Sequence, residues 1–281
     1  MKLLLALLAV ALAPVLCFVA VARGYQRTLE TARHVGWMRW LGRERTARVL
    51  ARLLGLSGRM PPGARDAGLR RAAAAKAAAL RAGHGLYLAS GERAPAGAVM
   101  LVGSSTFTYW NRFADDLAPL PVVNAAFGGS TTALVNEHFA ALVEEHAPRV
   151  IVYFAGTNDI TFGSPPQVAV AGFAEFVRRA EERLPQTAAI IYLGVNTTPF
   201  TRRVGGARRV ADVRAVNDGA RRLVAGHRGR IRLDFVDLDA QAWSDDRSYY
   251  LWDDHHLNEA GHARLGDLLR PLLAARFADA D

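Results

Sequence analysis

From residue 96 onward, short apolar runs alternate with longer segments whose apolar positions recur at helical spacing. The runs at 99–102, 121–124, 150–154, 189–194 and 231–236 predict strands, and the segments at 133–146, 166–183, 207–227 and 258–277 predict helices. Most of the strand runs are apolar at successive positions, with Asn124 and, in the last run, Arg232 and Asp234 as the exceptions, so both faces of the sheet are expected to be covered. Strands alternating with helices then predict an α/β domain built on a parallel sheet. Ligands of such sheets bind beyond the C-terminal ends of the strands. Ser105, Gly129 and Asn158 each fall just past a predicted strand, and Asp253 and His256 lie between the last strand and the last helix.

The first 95 residues follow a different pattern. Leu3 to Ala22 is an uncharged, almost wholly apolar run of 20 residues after Lys2. At 1.5 Å per residue it would make about 30 Å of helix, enough to cross a bilayer core. A cleaved secretory signal ending at Ala20-Val21-Ala22 is the rival reading, and the length of the run favours an uncleaved anchor. A lipoprotein signal fits poorly, because Leu16 precedes Cys17 where a small residue is expected. Residues 25–56 mix Trp37, Trp40, Leu50 and Leu53 with arginines. Such a segment suits either a helix lying on an anionic membrane surface or an amphipathic helix packed on the main domain. Pro61-Pro62-Gly63 breaks this arm, an alanine-rich helix is expected at about 67–82, and residues 91–97 read as a linker. The expected organisation is an anchor or signal at 1–22, a basic helical arm at 23–95 and a main domain at 96–281.

Charge sharpens that division. The chain of 281 residues carries a formal net charge of +9. Residues 23–85 hold 14 Lys/Arg against Glu30, Glu44 and Asp66, whereas residues 86–281 hold 20 Lys/Arg against 23 Asp/Glu. The basic character belongs to the arm, where no nucleic-acid-binding module accompanies it, so nucleic acid is not an expected partner. Arginines following the apolar run would hold the body on the cytoplasmic side. An exported hydrolase with an N-terminal anchor is the competing picture, and sidedness stays open. The single cysteine, Cys17, excludes an internal disulfide and a cysteine zinc site.

The candidate chemistry is nucleophilic. Ser105 at the start of a helix would expose its hydroxyl where the helix end favours negative charge, with Ser104 as its adjacent competitor and helix capping as its bland alternative. His256 can act as general base, and Asp253, three residues earlier, can orient its ring. Asp254 and His255 blur this assignment, and a metal site at 253–256 is disfavoured because no third ligand segment is apparent. Gly129 and Asn158, with the Ser105 N–H, are candidate oxyanion donors. Tight turning at Gly128-Gly129 and capping at Asn158 are the structural alternatives. Asn258 reads as the cap of the last helix. Phe107, Tyr109, Trp110, Phe127, Phe162 and Trp252 flank these positions and are expected mostly in the core, while Asn196-Thr197-Thr198 could add polar contacts at the rim.

Together these segments resemble the SGNH (GDSL-type) hydrolase superfamily. Val102-Gly103-Ser104-Ser105 is similar to its first block, with Ser104 where an aspartate is usual. Asn124-Ala125-Ala126-Phe127-Gly128-Gly129-Ser130 is similar to the second, Gly156-Thr157-Asn158-Asp159 to the third, and Asp253-Asp254-His255-His256-Leu257-Asn258 to the last. The resemblance covers roughly residues 96–275. It implies a three-layer α/β/α flavodoxin-like fold with a parallel five-stranded sheet, and cofactor-free, metal-free hydrolysis of esters by Ser105, His256 and Asp253. The expected partners are a small-molecule, lipid or glycan ester and, through the arm, an anionic membrane surface. An acyltransferase using the same serine, or a non-catalytic membrane-surface module, are the alternative functions.

Overall fold

Alternating side chains along each strand divide the core of this molecule into two layers. The computed structural model describes residues 62–83, 86–87, 97–251 and 253–278. The apolar leader, the arm as far as residue 61, most of the expected linker and Trp252 lie outside the described residues. Five strands, β2 (Val99–Gly103), β3 (Val122–Asn124), β4 (Val150–Phe154), β5 (Ala189–Leu193) and β6 (Arg232–Val236), pair in parallel. Their order is β3-β2-β4-β5-β6. These are the five strands expected from the sequence. A sixth, β1 (Leu86–Tyr87), joins β3 antiparallel at the edge. It has only two residues, too short to leave a periodic signal.

Met100, Val102, Ile151, Tyr153, Ile190 and Tyr192 project to one face of the sheet. They pack there against α1 (Pro62–Arg81), α4 (Thr132–Glu137), α5 (Phe139–Leu142), α7 (Pro166–Arg183) and α8 (Gly206–Gly226). The alternate residues Val99, Leu101, Val150, Val152, Phe154 and Ile191 meet α2 (Ser105–Thr108), α3 (Phe113–Asp116) and α9 (Glu259–Ala278) on the other face. This is the two-residue period of a strand converted into two cores. Each fully buried Leu, Ile or Phe contributes roughly 1.5–3 kcal/mol. Ala73, Ala77 and Leu80 of α1 belong to the first core, so the last helix of the basic region packs on this domain.

The helix expected over 133–146 is broken. It divides into α4, α5 and a 3₁₀ turn, Glu144–His146. The Asn136 carbonyl accepts from Arg179 at 3.2 Å, and the Asn136 amide donates to the Gly172 carbonyl at 2.8 Å. Both partners lie on α7, which draws the chain out of register where apolar spacing alone predicts continuity. Among the described residues, no helix is long and apolar enough to cross a membrane.

The chain leaves β2 for β3 on one side and returns to β4 on the other. That reversal opens a crevice at the C-terminal edge of β2 and β4. α2 begins after a single residue beyond β2, and α6 (Thr157–Thr161) follows β4 after only two.

Candidate active site

Gly103, the last residue of β2, makes the turn that presents Ser105. Its φ is +153°, and a Cβ there would stand 2.0 Å from the Phe154 carbonyl oxygen. Ser104 fills the next position, buried, with its N–H on the Phe154 carbonyl (3.2 Å) and its own carbonyl accepting from the Thr108 hydroxyl (3.1 Å). The residue standing where an aspartate is usual therefore braces the turn through its backbone. Ser104 makes no side-chain capping bond to α2.

Ser105, His256 and Asp253 lie in one hydrogen-bonded line. His256 Nε2 is 2.9 Å from Ser105 Oγ, across 151 residues of sequence, and His256 Nδ1 is 2.6 Å from Asp253 Oδ2. Asp253 Oδ1 also accepts the backbone N–H groups of His255 and His256, each at 2.9 Å. Burial alone would raise the Asp253 carboxyl, but the His256 charge and hydrogen bonds, with His255 nearby, pull it down to about 2. An ionised carboxylate only accepts, so Nδ1 carries the ring proton and Nε2 is left to accept from the serine hydroxyl. Tyr109 meets the His256 ring edge-on, with centroids 4.8 Å apart.

The neighbouring residues that blurred the sequence assignment have other partners. The Asp254 carboxylate, 2% exposed, takes the Arg247 guanidinium, with Nε to Oδ1 at 3.0 Å. The His255 ring faces His256 edge-on at 4.8 Å, and its Nδ1 lies 3.2 Å from Thr198 Oγ1. Burial and the nearby His256, with Arg209 adding to them against Asp253, push His255 down to about 4. Asn258 Oδ1 accepts from Gly261 N at 3.0 Å, which caps α9.

On the opposite wall, Gly129 adopts φ +79° in the turn after β3. A Cβ there would come within 2.7 Å of Leu69 Cδ2 on α1, so that helix closes over the glycine. The Asn158 amide donates to the Ser130 carbonyl at 2.9 Å, which joins the Asn158 and Gly129 segments and leaves the second amide proton unused. Asp159, next in the chain, accepts from both the N–H and the hydroxyl of Thr132 (3.1 and 2.7 Å). Burial raises the Asp159 carboxyl above its ordinary value, and these Thr132 bonds oppose the rise.

A pocket opens between these walls, lined by Ser105, Thr157, Asn158, Asn196, Phe154 and His255 among others. Thr157 Oγ1 is buried there without a hydrogen-bond partner among the described residues. Of the three rim residues named from sequence, Asn196 reaches the pocket. Thr197 is tied to Asp239 at 2.9 Å and Thr198 to His255. Phe107, Trp110 and Phe127 are core residues.

Three supporting roles escaped the sequence reading. His262 lies 2.9 Å from the Thr106 carbonyl through Nε2 and stacks on Trp110, which steadies α2. Asn124 donates to the Phe107 carbonyl at 2.7 Å. His255 walls the pocket. A polar residue closing an apolar strand was the available signal for Asn124; His262 sits on an ordinary amphipathic helix and gave none.

Solved structures with this architecture include a GDSL-like lipase from Bacteroides thetaiotaomicron, 16% identical, covering 66% of this chain and 93% of its own, with a TM-score of 0.55. A carbohydrate esterase of family 3 from Talaromyces cellulolyticus is 15% identical over 64% of this chain and 98% of its own (TM-score 0.54). A lipase/acylhydrolase from Enterococcus faecalis is 16% identical over 64% and 96% (TM-score 0.52). At these identities the likeness is one of fold. No curated protein sequence matches significantly. The GDSL-like lipase/acylhydrolase family profile matches residues 88–264, well over half of the 281 residues. This chain belongs to the GDSL-like lipase/acylhydrolase family, whose members hydrolyse esters.

Proposed function

We propose that the protein is a membrane-tethered serine esterase in which Ser105, His256 and Asp253 act as the triad. The observation that carries this reading is the unbroken line from Ser105 Oγ through the His256 ring to the Asp253 carboxylate, at 2.9 and 2.6 Å. As Ser105 Oγ attacks the ester carbonyl, His256 Nε2 takes its proton. The tetrahedral oxyanion is held by the N–H groups of Ser105 and Gly129 and by the Asn158 amide. Collapse expels the alcohol, which takes the proton back from Nε2. A water molecule then repeats the sequence on the acyl-enzyme, releases the acid and restores Ser105. Each oxyanion donor is typically worth about 2.7–4 kcal/mol in the transition state.

Residues 1–22 would hold the domain at the bilayer, and the basic arm would rest on anionic headgroups. The acyl or acetyl ester would then be drawn from a lipid or a glycan near that surface.

The test is hydrolysis of p-nitrophenyl butyrate by the wild type and Ser105→Ala. Turnover should fall at least about 10⁴-fold in a variant with unchanged circular dichroism. Near wild-type turnover in Ser105→Ala would overturn the assignment. Labelling by a fluorophosphonate in intact cells, spheroplasts and lysate, with Ser105→Ala as control, reads tethering and sidedness together.

A further inference from the structure

Arg209 differs from Arg202 and Arg203, the arginines of the turn it packs against. Arg202 lies 3.2 Å from Asp245, and Arg203 lies 4.0 Å from Asp254. Among the described residues, no carboxylate lies within ion-pairing distance of Arg209. Asp212, one turn further along α8, attracts it only from a distance. Among the described residues its one hydrogen bond runs from Nη1 to Thr161 Oγ1 at 3.1 Å. The Thr161 hydroxyl donates to the Thr157 carbonyl at 2.8 Å, so its proton is committed and its lone pair faces the guanidinium. That single bond orients the group and leaves four of its five N–H donors for solvent or a ligand.

The stem of Arg209 is fixed as well. It lies along the turn Thr201–Gly205, where a Cβ on Gly205 would come within 2.8 Å of the Arg209 Cβ and Cγ. Only a residue without a side chain lets the turn lie so close to the arginine.

The position relates this group to the nucleophile. Thr161 and Asn158 are three residues apart on α6, hence on one face of that helix and about 5–6 Å from each other. Asn158 lines the pocket with Ser105, and so does His255, whose ring responds to the Arg209 charge. His255 stays neutral above a pH of about 4 and offers no competing cation. Burial lowers the Arg209 pKa, but a guanidinium keeps its charge at any working pH.

We propose that Arg209, held by Thr161 one helical turn from Asn158, is an anion-recognition subsite beside the pocket, which selects esters bearing a carboxylate or a phosphate. The inference rests on the esterase reading and names the substrate class of that same site. A guanidinium pairs with either anion through two parallel N–H bonds. Both sources of charge therefore enter the test.

The full-length protein is assayed on two matched pairs. Mono-p-nitrophenyl succinate against p-nitrophenyl butyrate places a carboxylate on the acyl side. 1-Butyrylglycerol 3-phosphate against 1-butyrylglycerol places a phosphate on the alcohol side. In at least one pair the charged ester should be favoured roughly tenfold or more in kcat/KM. That ratio should collapse toward one in Arg209→Gln, survive in part in Arg209→Lys, and shrink as NaCl rises. Arg209→Met, which keeps the stem against Gly205, serves if the glutamine variant fails to fold. No preference in either pair, or a preference unchanged without the guanidinium, overturns the proposal.

Calorimetric titration of Ser105→Ala with 1-butyrylglycerol 3-phosphate and 1-butyrylglycerol separates this inference from the esterase reading. Tighter binding of the phosphate ester that disappears in Ser105→Ala/Arg209→Gln supports the subsite even if no ester is turned over. Equal affinities sink it while leaving hydrolysis of neutral esters intact.

Discussion

The loop carrying His256 and the wall carrying Asn158 are both organised by a carboxylate, and they are organised in opposite ways. Asp253 spends its bonds within three residues, on the N–H groups of His255 and His256 and on the His256 ring. The wall is assembled across the chain. Asn158 reaches back 28 residues to the Ser130 carbonyl, and Asp159 reaches back 27 to Thr132. The Asp253–His256 pair closes locally, and the fold anchors its loop through Thr198 on His255 and the Phe200 N–H on the Asp254 carbonyl. The wall exists only if β3, β4 and the turns after them are already packed. Damage to the loop should therefore appear in chemistry, and damage to the wall in both chemistry and stability.

The most severe test of the loop is Asp253→Asn. The amide keeps the shape but can offer its NH₂ to the ring, which favours the wrong tautomer. By analogy with other triads kcat should fall about 10⁴-fold with Tm changed little. A loss under tenfold would mean that the carboxylate only shapes the loop.

The corresponding cut in the wall is Asn158→Ala. It removes an oxyanion donor and the tie to Ser130 together. We expect a drop of about 10²–10³ in kcat, with fluorophosphonate labelling of Ser105 retained and Tm lowered. A normal kcat would leave Asn158 as a strut and nothing more.

Thr132→Val separates stability from chemistry. It deprives buried Asp159 of its hydroxyl donor and leaves the backbone N–H in place. Unfolding free energy should fall by about 1–3 kcal/mol, read as a lower midpoint in urea. An unchanged midpoint would show that the backbone bond suffices.

The last test concerns acid and reads a difference between two pH values. Burial, against its hydrogen bond to Thr106 and with His256 nearby, pushes His262 down to about 4, below its usual 6.5. The unfolded chain takes up this proton first, so stability is full above pH 6.5 and declines as pH falls toward 4. At pH 5 the difference is about 2 kcal/mol. His262→Gln should narrow the gap in Tm between pH 7 and pH 5. An equal gap in both proteins would assign the acid sensitivity elsewhere, with half-buried His255 the next group to test.

The same contrast governs how much could be read in advance. The inner parallel strands were legible because strands buried on both faces must be apolar at successive positions, as Val150 to Phe154 are, whereas β6 at the edge alternates Arg232 and Asp234 with apolar residues. Asp253 and His256 were legible because a carboxylate and an imidazole three residues apart can meet within one turn. The two-residue strand β1 offered too few positions to show a period. The break between α4 and α5 depends on Arg179 and Gly172, which lie some 40 residues further on.

The sequence by itself determined which groups carry chemistry and that strand ends would bring them to one edge, since hydrophobic period and motif spacing are local properties. Only the tertiary structure decided that Ser105 and His256 stand 2.9 Å apart, that Leu69 closes over Gly129, and that Arg209 is held at Thr161 without a carboxylate among the described residues. Those relations depend on distances across the packed core, where burial and close approach set each partner, and no stretch of chain read alone contains them.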